Sequence, residues 1–304
     1  MKINKFRSDV NPVRPLLRSL LQKAVRRGYV ELVRKVIITL AERGDSAWLH
    51  ARAGVIVFEE CWPCAHLLNG GTPSAVTLEN VTAMRKNKDA AGLGSLAYAA
   101  SEGNLNAIHK SHDPVAVKIV AAALKRPESF YKWAISECIA EEQLVVVLAS
   151  QRYISKASWP WDKAFMVAGA YLSCRGEVPQ PQLSTLSPSV PFPYWVAVDK
   201  HTPQGKTALR RVASDLGMPE RILEWASFYF ESAISNDLCP SPWWKSESEW
   251  RFDSLGISLE DAKSLWACAS PHIENTVKAQ SDRLIGLVGY DMSANMEGPD
   301  FTLV

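Results

Sequence analysis

Apolar residues recur at three- and four-residue spacing along nearly the whole chain, and this period constrains the fold class. In residues 14–27, RPLLRSLLQKAVRR, leucines and small apolar residues fall on one side of a helix and arginines on another, and Gly28 is placed to end it. Residues 29–43 and 46–60 repeat the pattern after short connections. The sequence therefore predicts an all-α multi-helix bundle, with more than about two-thirds of its residues in helices.

One segment interrupts this helical pattern. Residues 175–193, RGEVPQPQLSTLSPSVPFP, contain five prolines, which exclude a continuous helix and favour an extended connection. We therefore predict a helical domain over residues 1–174, a linker over 175–193 and a smaller helical region over 194–304.

Composition narrows the class of protein. Hydrophobic residues make up 47% and charged residues 22% of the chain, a balance typical of a globular protein. No apolar run approaches the ~20 residues that a membrane-spanning helix needs, and no apolar stretch follows the first charges. We expect no membrane association, a cytoplasmic location and reduced thiols at the six cysteines.

Positive charge is concentrated at the N-terminal end. Residues 1–44 carry eleven Lys and Arg against three acids, a net +8, whereas the whole chain carries only +2. Such a basic segment often binds an anionic partner, usually nucleic acid, and the alternative is a set of solvated helix faces. The candidate DNA-binding residues here are Arg14, Arg18, Lys23, Arg26 and Arg27.

A second basic cluster surrounds a predicted helix start. The segment VDKHTPQGKTAL (198–209) ends in Gly-Lys-Thr, but a phosphate-binding loop would need glycine where Lys200 stands. Pro203 also removes a main-chain donor, so we do not expect an ATPase. Thr202 is placed to cap a helix from Pro203, and cations around a helix N-terminus suit a phosphate group. The candidate DNA-binding residues here are Lys200, His201, Lys206, Arg210 and Arg211; a solvated basic helix is the alternative.

The motif Cys61-Trp62-Pro63-Cys64 has three interpretations. A thioredoxin-like centre needs a preceding strand, but the motif follows a helical pattern. A zinc site needs a second ligand pair, which His109 and His112 could supply. We favour a structural role at a helix end broken by proline.

The remaining motifs do not match a known arrangement of catalytic residues. The chain has neither Gly-x-Ser-x-Gly nor His-Glu-x-x-His. Side chains of the adjacent pairs Glu59-Glu60 and Glu141-Glu142 diverge on a helix, so we interpret both pairs as solvated helix ends. The sequence predicts no catalytic residue, no metal ligand and no cofactor.

Tryptophan is abundant, with 11 residues. The segment CPSPWWKSESEW (239–250) is predicted to form a turn that its prolines make rigid. Three indoles are hard to bury in one small turn, so Trp243 and Trp244 are candidate anchors for a partner protein. The alternative is that they belong to the core, because tryptophan is highly buried on average.

Residues 14–63 resemble the helical C-terminal region of clamp-loader-type AAA+ ATPases, especially the RarA/MgsA group. In that group a basic helix of the pattern sxxhKsvRgsd precedes an Ala/Leu helix and a third helix ending in an acidic FASEDIG-like corner. Leu20, Lys23, Arg26 and Arg27 stand in the first element, Arg52 precedes the apolar run, and VFEECWP (57–63) occupies the corner.

The resemblance implies an oligomeric collar without the ATPase module. Together with the basic segments, it predicts a non-enzymatic accessory protein of DNA replication or repair, such as a processivity factor, in a homo-oligomer or hetero-complex. Its partners would be the DNA backbone and a polymerase or helicase. One alternative is a helical enzyme acting on nucleotides or nucleic acid through Asp199, His201 and Lys206; another is an adaptor without a nucleic-acid role.

Overall fold

The structure is a computed structural model that describes residues 13–68, 75–185, 190–233 and 238–290. Helices hold 76% of these residues, and β-structure within them is limited to two isolated bridges, so the all-α prediction is confirmed. The fourteen α-helices of the described ranges are α1 (Arg14–Arg27), α2 (Val30–Glu42), α3 (Ser46–Cys61), α4 (Ala75–Ala83), α5 (Asp89–Ser101), α6 (Asn106–His109), α7 (Pro114–Lys125), α8 (Pro127–Glu137), α9 (Glu141–Ile154), α10 (Pro160–Arg175), α11 (Pro203–Asp215), α12 (Glu220–Ser227), α13 (Pro242–Asp253) and α14 (Leu259–Val288).

Local sequence signals set several of these helix ends. Gly28 ends α1 in the left-handed region, with φ of 83°. Thr202 caps α11 as predicted, because its Oγ1 accepts a hydrogen bond from Gly205 N at 3.0 Å. The α-helical part of α3 ends at Cys61, just before Pro63, and the chain continues as a 3-10 helix over Trp62–Leu68.

The Trp-rich segment is a helix, so the predicted turn is wrong. Ser241 caps α13 by accepting a hydrogen bond from Trp244 N at 3.0 Å, and Pro242 occupies the first turn of the helix. Serine followed by proline is a helix-start signal, and its proline cannot disturb the hydrogen-bond ladder at that position. The composition of this segment resembles a turn because both residues are also common in turns.

Two hydrophobic clusters form the core. The larger draws buried residues from α1 to α10 and also from 192–198 and α14, on the far side of the proline-rich segment. The smaller is built mainly from residues 209–273. The predicted linker therefore separates two helical parts of the chain, but it does not divide the larger core.

The described part of the predicted linker is held against the helices. Helix α10 ends at Arg175, and residues 182–184 pair with the chain after α4: Arg85 N donates to Gln182 O at 2.7 Å, and Ser184 N donates to Ala83 O at 2.8 Å.

Among the helices of the described ranges, none has both the length and the apolar character for a transmembrane span.

Candidate nucleic-acid interface

Helix α1 carries two predicted DNA-binding cations into the protein interior. Lys23 and Arg26 are only 2% and 3% exposed. The Lys23 ammonium forms an ion pair with Asp199 and donates to Ser19 Oγ at 2.9 Å. Arg26 contacts two carboxylates, Glu60 through Nε and Glu59 through Nη2, each at 2.7 Å. These two cations are therefore not on a surface that DNA could meet, which corrects the sequence interpretation.

Further ion pairs extend this cluster. Lys88 Nζ lies 3.2 Å from Glu60 Oε2, and Arg52 Nη1 lies 2.6 Å from Asp162 Oδ2. Arg52 Nη2 also lies 3.4 Å from Glu59 Oε2. We call the whole set the interior charge network; its members, four of each sign, are Lys23, Arg26, Arg52, Lys88, Glu59, Glu60, Asp162 and Asp199.

This network overturns one further interpretation. Glu59 and Glu60 are buried, not solvated, because the end of α3 is covered by α1 and by the chain that carries Lys88. Buried carboxylates need partners, and each of these two has at least two cations within ion-pair distance. Glu141 and Glu142 are exposed, as expected.

Neighbouring cations keep Glu59 and Asp199 ionised. Burial by itself would raise the pKa of Glu59, but Arg26, Lys88 and Arg52 lower that pKa to about 2. Burial would likewise raise the pKa of Asp199, yet the charges of Lys23 and His201 hold it well below its usual value. Glu59 and Asp199 therefore stay charged near neutral pH.

Acid should therefore unfold the protein over a defined range. The folded pKa values of Glu59 and Asp199 lie below those of the unfolded chain, about 4, so their contribution is complete above about pH 5 and is lost as pH falls towards 2. For Glu59 alone the loss is about 3 kcal/mol in the free energy of unfolding. Urea unfolding followed by circular dichroism from pH 6 to pH 2.5 measures it. A Glu59→Gln variant should show a shallower pH dependence, and equal slopes would contradict the assignment.

The other three N-terminal candidates also bind within the protein. Arg14 Nη2 donates to Arg43 O at 2.6 Å, Arg18 Nε donates to Asp45 Oδ2 at 2.6 Å, and Arg27 Nη2 lies 2.7 Å from a Glu231 oxygen. Four of the five N-terminal candidates thus pair with a carboxylate within the fold, and Arg14 contacts a main-chain oxygen. Lys2, Lys5 and Arg7 of that segment lie outside the described residues.

The second basic cluster is different, because its helix is exposed on one face. Lys206, Arg210 and Arg211 lie on the exposed side of α11. Arg210 Nε lies 3.2 Å from Glu220 and Arg211 Nε lies 3.7 Å from Asp215, and both pairs are open to solvent. Exposed pairs of this kind are weak, so these cations can exchange a carboxylate for a phosphate. We call these three residues the α11 face.

Lys200 and His201 lie beside the start of the same helix. Lys200 Nζ lies 2.9 Å from the centre of the Trp225 ring, and burial together with Arg251 lowers the pKa of Lys200 to about 7. His201 Nδ1 lies 2.9 Å from Asp199 Oδ2. Its side chain is 57% exposed, yet the surrounding protein lowers the pKa of His201, against the opposing effect of Asp199. His201 therefore contacts a member of the interior charge network, and both residues precede the first turn of α11 in the chain.

The predicted partner anchors are buried. Trp243 and Trp244 are 6% and 4% exposed, so their indoles belong to the core and cannot anchor a partner in this fold. The structure exposes Trp159 instead, with 66% of its surface accessible. Trp159 is not among the residues that the sequence pattern singled out, although Pro160 marks the first turn of α10 and places Trp159 outside that helix.

The zinc and enzyme alternatives find little support in the described residues. No group of three or more metal-ligating side chains occurs among them, and the His112 ring packs on Trp243, with ring centres 4.0 Å apart. A cavity beside Asp199 has a volume of about 10 Å³, enough for roughly one water molecule. A nucleotide does not fit there.

Comparisons with known proteins add no family. No family model, curated protein or solved structure matches the chain.

Proposed function

We propose that the protein is a non-enzymatic accessory protein of DNA replication or repair that binds the nucleic-acid backbone through the α11 face. The observation that supports this role is the separation of its cations into two sets. The N-terminal set is bonded within the fold, whereas Lys206, Arg210 and Arg211 stay exposed on one helix, beside Lys200 and His201. Phosphate contacts by such residues give affinity without sequence preference, which suits an accessory or processivity factor.

The residues quoted for the clamp-loader resemblance take a structural role in this proposal. Lys23, Arg26, Arg52 and the acidic corner Glu59-Glu60 lie together in the interior charge network. A buried ionic arrangement can fix the angle between helices of a collar, and a collar would place the protein in a homo-oligomer or hetero-complex. The α11 face lies outside the resembling segment.

Binding to duplex DNA should depend on salt through three contacts. Each neutralised phosphate contributes about 0.9 to the slope of log affinity against log salt, so the α11 face contributes about 2.7. Affinity should fall about fortyfold between 50 and 200 mM salt from these contacts alone. Fluorescence anisotropy with a labelled duplex measures it. The variant Lys206→Gln, Arg210→Gln, Arg211→Gln should lose that part of the slope.

The control variant removes the same charge elsewhere. Arg34, Lys245 and Lys278 are also exposed and paired with glutamate or aspartate on helices. Changing these three to glutamine should leave the slope within about one contact of the original. Equal losses in both variants would mean that DNA responds only to net charge, and the α11 face would then have no special role.

We propose Trp159 as the protein-partner anchor in place of Trp243 and Trp244. An exposed indole is a favoured hot spot, and its removal commonly costs more than about 2 kcal/mol of binding energy, or about thirtyfold in affinity. Trp159→Ala should therefore lose co-purifying protein after nuclease treatment while its melting temperature is unchanged. Val115→Ala, another exposed apolar position, is the control. Undiminished capture by the Trp159 variant would refute the assignment.

A helical enzyme is the second candidate. It is favoured by the pKa of Lys200, about 7, and by the contact between buried Asp199 and the exposed ring of His201. The small volume beside Asp199 disfavours it, because substrates of nucleotide size need a much larger pocket.

A further inference from the structure

Two sulfur atoms lie close together at the end of α3. Cys61 is the last residue of α3 and Cys64 lies in the following 3-10 helix; both are buried and free. The two Sγ atoms are 3.3 Å apart, within hydrogen-bond distance, and either thiol can donate to the other. A disulfide bond is about 2.05 Å long, so the sulfurs need to approach by only about 1 Å.

The surroundings favour a thiolate on Cys64. The hydrogen bond with Cys61 lowers the pKa of the Cys64 thiol, and Lys86 acts in the same direction, whereas the pKa of Cys61 is raised well above its usual value by its bond to Cys64 and by burial. Lys86 is fixed beside the pair, because its ammonium donates to three main-chain oxygens of residues 81–84 at 2.8 to 2.9 Å. A thiolate is the reactive form of cysteine.

We propose that Cys61 and Cys64 form a modification site, a buried dithiol that hydrogen peroxide converts reversibly into an intramolecular disulfide. First, the Cys64 thiolate attacks one peroxide oxygen, the O–O bond breaks, and the leaving hydroxide takes up the proton that Cys64 had released. Cys64 is now a sulfenic acid. The Cys61 sulfur then displaces the sulfenic oxygen, which leaves as water with the Cys61 proton. Two thiols lose two electrons, and one peroxide becomes two waters.

Peroxide suits this site because of its size. Both cysteines are only 1% exposed. A molecule only slightly larger than water reaches such a pair through small fluctuations, whereas a bulky disulfide would require the corner to open. A small thiol would reduce the disulfide again, either when the corner opens transiently or when the protein is unfolded.

The other thiols of the chain lack this arrangement. Cys239 donates to Lys86 O at 3.0 Å, and burial raises its pKa to about 11. Cys174 lies near Cys138, but burial, followed by the effect of Cys138, raises its pKa to about 12. Cys268 is exposed. These four residues serve as internal references for the reaction.

Oxidation would act next to the interior charge network. The Cys61 thiol donates to Arg85 O at 3.5 Å, and a disulfide removes that donor. Two residues further on, Asn87 N donates to Glu60 O at 2.8 Å, and Lys88 is paired with the Glu60 side chain. The proposal does not depend on DNA binding, so it can fail or succeed independently of the proposed function.

Mass spectrometry of the complete chain tests the proposal. The reduced, folded protein is treated with hydrogen peroxide, then unfolded in N-ethylmaleimide. We expect four of the six cysteines to be labelled, with the peptide containing residues 61–64 lighter by two hydrogen atoms, and dithiothreitol should restore six labels. Six labels after peroxide, or a disulfide that involves Cys138, Cys174 or Cys239, would overturn the proposal.

Single variants test the order of the steps. Cys61→Ser keeps a hydrogen-bond donor beside Cys64 but removes the second thiol, so dimedone, added as the peroxide-treated protein is unfolded, should trap a sulfenic acid on Cys64. Cys64→Ser should give at least tenfold less dimedone adduct on Cys61. The opposite ratio would overturn the assignment of Cys64 as the attacking thiolate. Circular dichroism checks that both variants fold, and the result on the unaltered chain does not depend on either variant.

Discussion

Replacing Arg26 with methionine is expected to lower the free energy of unfolding by about 3–5 kcal/mol. The guanidinium contacts Glu59, Glu60 and the Ser232 carbonyl oxygen inside the protein. Methionine fills much of the same volume but leaves two buried carboxylates with fewer partners. Urea unfolding followed by circular dichroism at pH 7 measures the change.

The matched control is Arg34→Met. Arg34 also pairs with two glutamates, Glu31 and Glu79, but its side chain is half-exposed. Exposed pairs contribute about 0–1 kcal/mol, so the free energy of unfolding of this variant should be close to that of the original protein.

Adding Glu60→Gln to Arg26→Met should recover part of the lost stability, because it removes one uncompensated charge. Similar small losses in both arginine variants would show that burial does not matter at Arg26.

Gly205→Ala should destabilise the protein by about 3 kcal/mol. A methyl group on Gly205 would lie 2.7 Å from Asp199 N and would overlap the Asp199 carbonyl group. These are main-chain atoms, so the clash cannot be relieved by rotating a side chain. The turn from Asp199 to Thr202 would have to move, and with it the carboxylate that pairs with Lys23.

The control for this variant is another helical glycine. Gly286 lies on the exposed side of α14, and a methyl group there meets no atom within 4 Å. Gly286→Ala should stabilise the protein by about 0.5–1 kcal/mol, because alanine has the higher helix propensity. Thermal unfolding of the two variants gives the comparison. A Gly205→Ala protein as stable as the original would mean that the start of α11 adapts to the methyl group.

The same glycine explains part of the Gly-Lys-Thr motif. In the sequence, residues 205–207 resemble the end of a phosphate-binding loop. In the structure, Gly205 allows the first turn of α11 to pack directly on the Asp199 main chain. Close helix packing requires glycine there whether or not a phosphate group binds, so the motif alone does not indicate an ATPase.

Most of the helices could be predicted from the sequence because their signals are local. The period of apolar residues, Gly28 after α1 and Thr202 before α11 all act within one or two helical turns. The error at 239–250 has a local cause as well. Ser241 and Pro242 are common in turns and also at helix starts, and the single hydrogen bond from Trp244 N to Ser241 Oγ selects the helix.

Which charged residues are buried in ion pairs and which are exposed could not be predicted in this way. Lys23 and Lys206 are both lysines in basic helical segments, yet one is paired inside the protein and the other is exposed. The difference lies in Asp199, which is distant from Lys23 in sequence and meets it only when the chain after the proline-rich segment packs against α1. The sequence by itself determined the helices and their ends, because those depend on neighbouring residues. Only the tertiary structure decided which cations are buried with acids and which remain on the α11 face, because a buried charge must find its partner wherever the fold brings one.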